Sequence, residues 1–310
     1  MGFFSKILAV IDPETDQQKA LKRAVELAQK TNASVTAFLT IYDFSYDMTT
    51  MLSVEERETM RQAVVDDRTD WVSALIEHQV DTDLVAVDIK VVWHNRPYES
   101  IVLEAIESQY DLIVKGTQDH DTLKSVIFTP TDWHLLRKAP TPVLLVKEHD
   151  WPQGGQIIGA VNVGTDDEAH AQLNDVVTET AQTMAELLKG TVNLVNAYPG
   201  TPVNIAIEIP EFDPKGYRDS VKAYHTESMQ KHISRYDISM DQCHIREGLP
   251  EDAIPAVAKL IDAELVVIGT VGRVGISAAL IGNTAEHVID RLDCDVLALK
   301  PTGFESPIRP

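Results

Sequence analysis

The chain contains two copies of one unit, and this duplication restricts its fold more than any other sequence feature. The run KILAVID at residues 6–12 lies 150 residues before the run QIIGAVN at 156–162. Further along, DLIVKGT at 111–117 precedes ELVVIGT at 264–270 by 153 residues. The same offset of 153 joins further matched positions, Thr131 with Thr284, His134 with His287 and Lys147 with Lys300. An offset that drifts by only three residues over so many matches indicates a tandem duplication.

Each copy alternates short apolar runs with longer, mostly polar segments, which predicts strands separated by helices. The first copy is predicted to contain strands 6–12, 34–42, 86–93, 111–116 and 142–147, and helices 16–31, 54–79, 97–108 and 131–138. The second is predicted to contain strands 156–163, 191–198, 243–247, 264–269 and 295–300, and helices 167–189, 216–236, 251–261 and 284–292. This alternation favours an α/β fold with two open parallel sheets, each covered by helices on both faces.

The predicted domains follow from the repeat and from one polar joint. Residues 1–149 form domain 1, residues 156–304 form domain 2, and residues 305–310 form a tail. The segment 150–155 (DWPQGG) is rich in Pro and Gly and suits a linker. Asn32 is predicted to end the first helix, Gly190 its counterpart in domain 2, and Pro97 fits a first helical turn.

The last strand of each copy is apolar along its whole length. The runs are VLLV at 143–146 and VLAL at 296–299, and each would be an exposed sheet edge in an isolated domain. Exposed apolar edges promote aggregation, so another element is expected to cover them. Pairing of the two edges within one chain would do so, which predicts an internal pseudo-dimer.

Charge and composition exclude several classes of function. The chain of 310 residues carries 27 Lys and Arg against 48 Asp and Glu, a formal charge of −21, and neither half is basic. Sequence-independent binding to nucleic acid or to anionic lipid is therefore not expected. Two cysteines exclude a disulfide scaffold. The chain shows no apolar run long enough to span a bilayer and no signal peptide, so a cytoplasmic location is expected.

A glycine-rich segment of the second copy is the most informative candidate for a binding site. It runs from Gly269 through Gly272 and Gly282 to Thr284, leaving a predicted buried strand and ending where a helix begins. Glycines let the backbone approach an anion closely, and a helix start offers unpaired N–H groups at the positive end of the dipole. Arg273 is the only cation in this segment. The spacing differs from both the Walker A and the dinucleotide-binding motifs.

The spacing of Gly269, Gly272 and Gly282, with two and nine residues between them, resembles the nucleotide loop of the universal stress protein family. A valine-rich first strand that ends in Asp12, and Gly248 and Pro250 before the third helix of the second copy, fit the same family. The resemblance extends over nearly the whole chain, once per copy. It implies a tandem universal-stress-protein-like fold of the adenine nucleotide alpha-hydrolase type, a role in the stress response, and dimer-like pairing through the last strand.

The resemblance also implies which residues hold a nucleotide. In members that bind ATP, the loop glycines and the following Ser or Thr hold the phosphates, while the acidic residue after strand one and the main chain after strand two hold the nucleoside. The corresponding residues of domain 2 are Asn162, Ala197, Gly269, Gly272, Gly282 and Asn283, with Thr284 and Arg273 beside them. Two positions depart from the family pattern, because Asn283 replaces a Ser or Thr and Asn162 replaces an Asp.

Domain 1 departs further from the family pattern. Its corresponding residues are Asp12, Gly116, Asp119, Thr129 and Pro130. Asp119 puts a negative charge where phosphate is expected, and a proline has no N–H to donate. Domain 1 is therefore expected to have lost the phosphate site while keeping the nucleoside-side carboxylate of Asp12.

Binding is favoured over catalysis because no catalytic motif is present. The chain lacks a GxSxG elbow, an HExxH motif and paired Cys/His zinc spacing. The net negative charge opposes ATP unless Mg²⁺ screens its phosphates, so ATP with Mg²⁺ is the expected ligand of domain 2. A slow Mg²⁺-dependent ATPase or nucleotidyl-transfer enzyme stays open as an alternative, as does a glycine loop that only shapes the crossover.

Two apolar loops suggest another alternative. Residues 44–52 and 203–214 follow the second strand of each copy and carry several large apolar side chains. They could line a site for a small apolar ligand or form a protein-interaction surface, including a homodimer of the tandem chain, with no nucleotide involved. Packing of these loops against their own domain is the favoured interpretation.

Four further residues admit a functional and a structural interpretation. Lys115, where domain 2 has Ile268, could bind an anion in a rebuilt pocket, but a solvated lysine at a strand end is favoured. His134 follows Asp132 and could be reactive, but its repeat partner His287 has neither the Asp nor the Trp that precede His134, which favours a structural histidine. Cys243 and Cys294 fall in strand-like stretches, which favours small packing residues over nucleophiles.

Overall fold

The computed structural model describes residues 4–48, 51–81, 84–119, 126–147, 150–165, 167–201, 212–270 and 283–309. The chain divides into two compact units. Unit 1 comprises Met1–Glu148 with Glu305–Pro310, and unit 2 comprises His149–Phe304. None of the described helices is long and apolar enough to cross a membrane.

Unit 1 contains a parallel five-stranded sheet with helices between its strands. Its elements are β1 Lys6–Val10, α1 Lys19–Thr31, β2 Ser34–Ile41, α2 Phe44–Asp47, α3 Val54–Gln79, β3 Val87–Trp93, α4 Pro97–Glu107, β4 Leu112–Gly116, β5 Gln118–Asp119, β6 Val126–Ile127, α5 Pro130–Lys138 and β7 Val143–Val146. The strand order is β3-β2-β1-β4-β7, and β5 pairs with β6 in a separate antiparallel ribbon.

Unit 2 repeats this arrangement. Its elements are β8 Gln156–Ala160, α6 Glu168–Leu188, β9 Thr191–Tyr198, α7 Pro214–Ile233, β10 Cys243–Glu247, α8 Pro250–Leu260, β11 Ala263–Gly269, α9 Asn283–Asp290 and β12 Asp295–Leu299. The strand order is β10-β9-β8-β11-β12, and all pairs are parallel. The predicted α/β class with parallel sheets is confirmed in both units.

The strand order places a crevice in each unit. The chain moves outward in one direction from β1 to β2 and β3, then returns to the other side of β1 with β4, and unit 2 does the same around β8 and β11. In open α/β sheets ligands bind beyond the carboxyl ends of the strands at such a reversal. The ends of β8, β9 and β11 therefore surround the expected binding position of unit 2.

The first strand of each unit ends two or three residues earlier than its apolar run predicts. In unit 1 the side-chain Oε1 of Gln18 accepts the N–H of Asp12 at 2.9 Å. In unit 2 the side-chain Oδ1 of Asn174 accepts the N–H of Asn162, also at 2.9 Å. A side-chain amide thus replaces the neighbouring strand as hydrogen-bond partner, which ends the sheet pairing there.

The end of α6 differs from the prediction. The left-handed residue is Lys189, with φ 53°, and not Gly190. The N–H of Gly190 donates to the carbonyl of Ala185 at 2.8 Å, which completes the helix end. Gly190 is required for another reason, because an added Cβ would lie 2.3 Å from the carbonyl oxygen of Gly155. The ends of α1 at Asn32 and the start of α4 at Pro97 are confirmed.

These two positions predict opposite responses to substitution. Gly190→Ala should lower the free energy of unfolding by about 1–3 kcal/mol, because its methyl group overlaps backbone that must shift. Lys189→Gly should leave stability within about 1 kcal/mol or raise it, because glycine adopts positive φ without strain. Urea unfolding of both variants and the wild type measures the difference. Equal stability of Gly190→Ala and wild type would contradict the assigned contact.

Candidate functional site

A cavity of about 570 Å³ opens at the carboxyl ends of the unit 2 strands. Its walls are mostly apolar, and a few polar groups converge on it. Volume and lining fall within the range of small-molecule sites. The lining residues are Ala160, Val161, Asn162, Gly164, His170, Leu173, Asn174, Val177, Ala197, Pro199, His225, Gly248, Leu249, Pro250, Ile254, Ile268, Gly269, Thr284, Ala285 and Val288.

Four of the predicted nucleotide-binding residues meet at this cavity. Asn162 follows β8, Ala197 lies near the end of β9, Gly269 ends β11, and Thr284 lies in the first turn of α9. Asn283 is the first residue of α9, and its side chain lies outside the described part of the chain. The predicted residues Gly272, Arg273 and Gly282 also lie outside the described residues.

Asn174 on α6 holds the backbone of Asn162 in place. Its Oδ1 accepts the N–H of Asn162 and its Nδ2 donates to the carbonyl of Asn162, both at 2.9 Å. Asn174 is buried, and both ends of its amide are used by one residue. Sequence reasoning missed Asn174, although Gln18 holds Asp12 in the same way in unit 1, at 2.9 and 2.8 Å. The available signal was an amide side chain at or near the start of the first helix of each unit, Gln18 before α1 and Asn174 in the second turn of α6.

Two histidines reach the cavity, and neither was predicted. His170 follows Asp167, the N-cap of α6, and its Nδ1 lies 2.5 Å from Oδ2 of that carboxylate. Hydrogen bonds from the His170 side chain and backbone hold the pKa of Asp167 below its usual value. His225 comes from α7, and its ring stacks on Tyr198 with centroids 5.3 Å apart. Burial lowers the pKa of His225, which keeps its ring neutral.

Gly269 permits close contact between β11 and α6. A Cβ at this position would lie 2.4 Å from Cδ2 of Leu173, which also lines the cavity. The absence of a side chain at Gly269 therefore lets the end of β11 lie close to Leu173 of α6. The corresponding Gly116 of unit 1 has ordinary space, since the nearest atom to an added Cβ is Cβ of Lys19 at 3.6 Å.

The lining of the cavity carries no Lys, Arg, Asp or Glu among the described residues. Its polar groups are amides, imidazoles, one hydroxyl and backbone. Such a lining offers a phosphate ester no lysine, arginine or carboxylate side chain among the described residues. The N–H groups of a helix start attract anions, and Thr284 in the first turn of α9 lines this cavity.

The helix start of unit 1 is satisfied by its own side chains. Thr129 caps α5: its Oγ1 accepts the N–H of Asp132 at 3.3 Å, and Oδ2 of Asp132 accepts the N–H of Thr129 at 2.7 Å. Pro130 occupies the first helical position and has no N–H. The carboxylate of Asp132 thus uses a donor that an anionic ligand would need, and it is fully buried. Asp119 lies in β5, and its side chain is outside the described part of the chain.

Lys115 is buried and not solvated, which corrects the favoured interpretation. Its side chain lies at the end of β4, where Nζ donates to the carbonyl of Gly116 at 2.8 Å. Nζ also lies 3.3 Å from Oδ1 of Asp132. A buried carboxylate needs such a partner. Lys115 therefore compensates an internal anion. His134 instead stacks on Tyr98 with centroids 4.1 Å apart, as the structural interpretation expects.

The loop of unit 1 at residues 44–52 does not pack as expected. Phe44, Met48 and Met51 are 62%, 61% and 96% exposed. Tyr46 packs inward, with its ring 5.4 Å from the ring of Trp93. Residues 202–211, which include most of the corresponding loop of unit 2, lie outside the described residues.

No group of three or more His, Cys, Asp or Glu side chains in the described ranges is placed to hold a metal ion. Cys294 is buried, and burial raises the pKa of the half-buried Cys243 to about 11, so its thiol is protonated at neutral pH. These environments are typical of cysteines that act as small packing residues.

Comparison with known proteins identifies similar sequences over the full length. A profile of the universal stress protein family matches residues 3–147 and 159–300. Universal stress protein E of Escherichia coli (strain K12) is 48% identical over 309 residues, which cover 99% of this chain and 98% of that protein. The universal stress protein E homolog of Haemophilus influenzae is 43% identical, covering 96% of this chain and 98% of that protein.

One solved structure gives a consistent result. A putative universal stress protein from Pseudomonas aeruginosa UCBPP-PA14 is 32% identical with a TM-score of 0.71, covering 96% of this chain and 94% of that chain. A universal stress protein in complex with cAMP is 21% identical with a TM-score of 0.29, covering 47% of this chain and 95% of that chain. The cAMP complex is a property of that protein.

The two equivalent strand-end glycines form a matched pair of test positions. Gly269→Ala should lower the free energy of unfolding by about 1–3 kcal/mol, because its methyl group overlaps Leu173. Gly116→Ala should change it by less than about 1 kcal/mol, because the space exists. Chemical unfolding followed by circular dichroism compares both with wild type. Equal losses for the two variants would contradict the packing difference between the units.

Proposed function

The chain belongs to the universal stress protein family, and on that premise we propose that it is a cytoplasmic stress-response protein that binds an adenine nucleotide in the unit 2 cavity. The proposed ligand is ATP carried with Mg²⁺, and the protein acts through binding rather than catalysis. Occupancy favours one arrangement of the surface around the cavity, and a partner protein reads that arrangement. The proposed site consists of Asn162, Ala197, Gly269, Gly272, Arg273, Gly282, Asn283 and Thr284.

The observation that carries the proposal is the convergence of two kinds of group at one cavity. Asn162 and Ala197 lie at the ends of β8 and β9, on the side where the family resemblance expects the nucleoside. Thr284 lies at the start of α9, where backbone donors can meet phosphate oxygens. The cavity of about 570 Å³ is large enough for a ligand of this class.

Mg²⁺ is proposed as part of the ligand and not as a resident metal. The described residues offer no cluster of carboxylates or histidines around the cavity that would hold it. Mg²⁺ usually keeps several waters and binds through substrate phosphates, and bound in this way it would screen their charge against a protein of net charge −21. The residues of the chain would then contact phosphate oxygens through N–H and hydroxyl groups.

The proposal restricts binding to unit 2. In unit 1 the N–H of Thr129 is used by Asp132, and the first position of α5 is Pro130. The corresponding residues of unit 2 are Gly282 and Asn283, and both have a backbone N–H. The residue of unit 2 that corresponds to Asp132 is Ala285, which has no carboxylate. Unit 1 thus supplies a natural example of a helix start that cannot receive phosphate.

Exchanging one residue between the units tests this proposal. Asn283→Pro gives unit 2 the residue that begins α5, and a proline at the first helical position is compatible with folding. It removes one N–H donor, so affinity for Mg²⁺-ATP should fall about 10-fold or more, as for loss of a charge-assisted hydrogen bond. Isothermal titration calorimetry measures this.

Pro130→Asn in unit 1 is the matched control. It restores one backbone N–H, but the buried carboxylate of Asp132, paired with Lys115, still lies at this helix start and repels phosphate. The affinity for Mg²⁺-ATP and the stoichiometry of about one should therefore be unchanged. Equal affinity of wild type and Asn283→Pro would contradict nucleotide binding at α9. Gly272→Asp adds a negative charge within the glycine segment and should abolish binding. The slow ATPase alternative is tested by assaying ADP formation from Mg²⁺-ATP by the wild type and by Gly272→Asp.

A second candidate function rests on the apolar surface formed by Phe44, Met48, Met51 and Val54. These side chains are 61% to 96% exposed and cover α2 and the start of α3. An exposed cluster of this kind is typical of an association surface. The second candidate is a homodimer of the whole chain through this surface, in place of the small apolar ligand that the loop also suggests.

Sedimentation velocity tests this candidate. Charge repulsion between copies of net charge −21 should weaken the dimer at about 0.01 M salt and less so at about 0.1 M, where the Debye length is about 10 Å. Phe44→Ser with Met51→Ser should shift the sedimentation coefficient to that of a monomer at the higher salt. Leu260→Ser, which replaces an exposed apolar side chain outside this surface, is the control and should have no effect. A wild type that is monomeric at every concentration would exclude the homodimer.

A further inference from the structure

His225 is held in a fixed position at the side of the unit 2 cavity. Its ring is buried, stacks on Tyr198, and meets the ring of Tyr224 edge-on with centroids 5.5 Å apart. A Cβ at Gly164 would lie 2.0 Å from its Cε1, so the loop after β8 also packs against the ring. Three neighbours therefore fix the orientation of this imidazole.

Asn196 determines which nitrogen of His225 carries the proton. The Oδ1 of Asn196 accepts the N–H of Val163 at 3.1 Å, so its Nδ2 points the other way. Nδ2 lies 3.0 Å from Nδ1 of His225. An amide nitrogen only donates, so Nδ1 must accept, and in the neutral ring the proton is on Nε2. The opposite orientation of Asn196 would place two donors against each other at Val163.

The Nε2–H of His225 has no acceptor among the described residues. Burial alone accounts for the lowered pKa of His225, so no described charged group favours a second proton. His225 also lines the cavity. His225 thus contributes to the cavity wall an imidazole whose ring orientation and tautomer are both fixed. The donor lies beside Val163 and Gly164, which follow Asn162, and beside Tyr198, which follows Ala197, so it lies on the nucleoside side of the proposed site.

We propose that His225 is a specificity-determining residue, whose Nε2–H recognises a hydrogen-bond acceptor on the nucleoside part of the ligand. This inference depends on the proposed function, because it assigns a role within the same cavity. A buried donor that meets no acceptor is costly, so the site discriminates against nucleosides that lack the acceptor. Asn196 is a positioning residue that acts through His225.

Three variants separate the donor from the stacking and from the tautomer. His225→Phe keeps an aromatic ring on Tyr198 but removes the donor, and His225→Gln places an amide donor near the position of Nε2. Asn196→Asp still accepts the N–H of Val163 but also accepts from Nδ1, which in the neutral ring moves the proton from Nε2 to Nδ1. Because a carboxylate raises the pKa of a neighbouring imidazole, this variant and the wild type are compared at alkaline pH, where the ring is neutral. Mg²⁺-ATP is the probe, titrated by calorimetry into each variant after thermal unfolding confirms that it is folded.

His225→Phe and Asn196→Asp should each weaken binding of Mg²⁺-ATP about 10-fold, and His225→Gln should stay within about threefold of wild type. The analogues 2′-deoxy-ATP and 7-deaza-ATP locate the acceptor on ribose or base, since the analogue that lacks it should bind wild type and His225→Phe equally. Long-range ¹H–¹⁵N NMR of the free protein should show protonated Nε2 in wild type and protonated Nδ1 in Asn196→Asp.

Wild-type binding of Mg²⁺-ATP that His225→Phe leaves within twofold would overturn the role of His225 and leave the proposed function standing. Protonated Nδ1 in the free wild type would also overturn it. Absence of nucleotide binding by the wild type would overturn both the inference and the proposed function.

Discussion

The hydrogen bonding of the backbone N–H groups at the start of one helix is the constraint on which the proposed difference between the two halves of this protein depends. A helix start must satisfy its first donors with side chains, water or a ligand. In unit 1, Thr129 and Asp132 satisfy each other and Pro130 removes a further donor, while Lys115 compensates the buried charge. An internal carboxylate therefore stands where a phosphate would bind. In unit 2 the residue at the position of Asp132 is Ala285, which cannot play this part.

Hydrogen bonds fix the orientation of several side chains in the unit 2 cavity. Asn174 uses both ends of its amide on Asn162, and Asn196 connects the backbone of Val163 to the ring of His225. Fixed donors and acceptors recognise a ligand without the cost of ordering them on binding. Asn162, which replaces the acidic residue of the family pattern, fits the proposed function, in which amide and imidazole groups contact the nucleoside.

The internal repeat and the apolar runs predicted the α/β fold, the parallel strands and most element bounds to within three residues. Strand ends were predicted too long because apolar content does not reveal that Gln18 or Asn174 takes over the backbone. Motif spacing predicted that Asn162, Ala197, Gly269 and Thr284 share a site. It missed His225 and Asn196, because their pairing depends on side chains of α7 and β9 that are 29 residues apart. The burial of Lys115 was missed because its partner Asp132 lies 17 positions later in another element. The domain boundaries and the internal pseudo-dimer remain predictions.

A crystal structure of the full chain with Mg²⁺ and a non-hydrolysable ATP analogue tests the central claim most directly. The account predicts density for one nucleotide, in the unit 2 cavity, with its phosphates at the start of α9 and its nucleoside between Asn162 and His225. Nucleotide density at the start of α5 in unit 1, with the unit 2 cavity unoccupied, would contradict it.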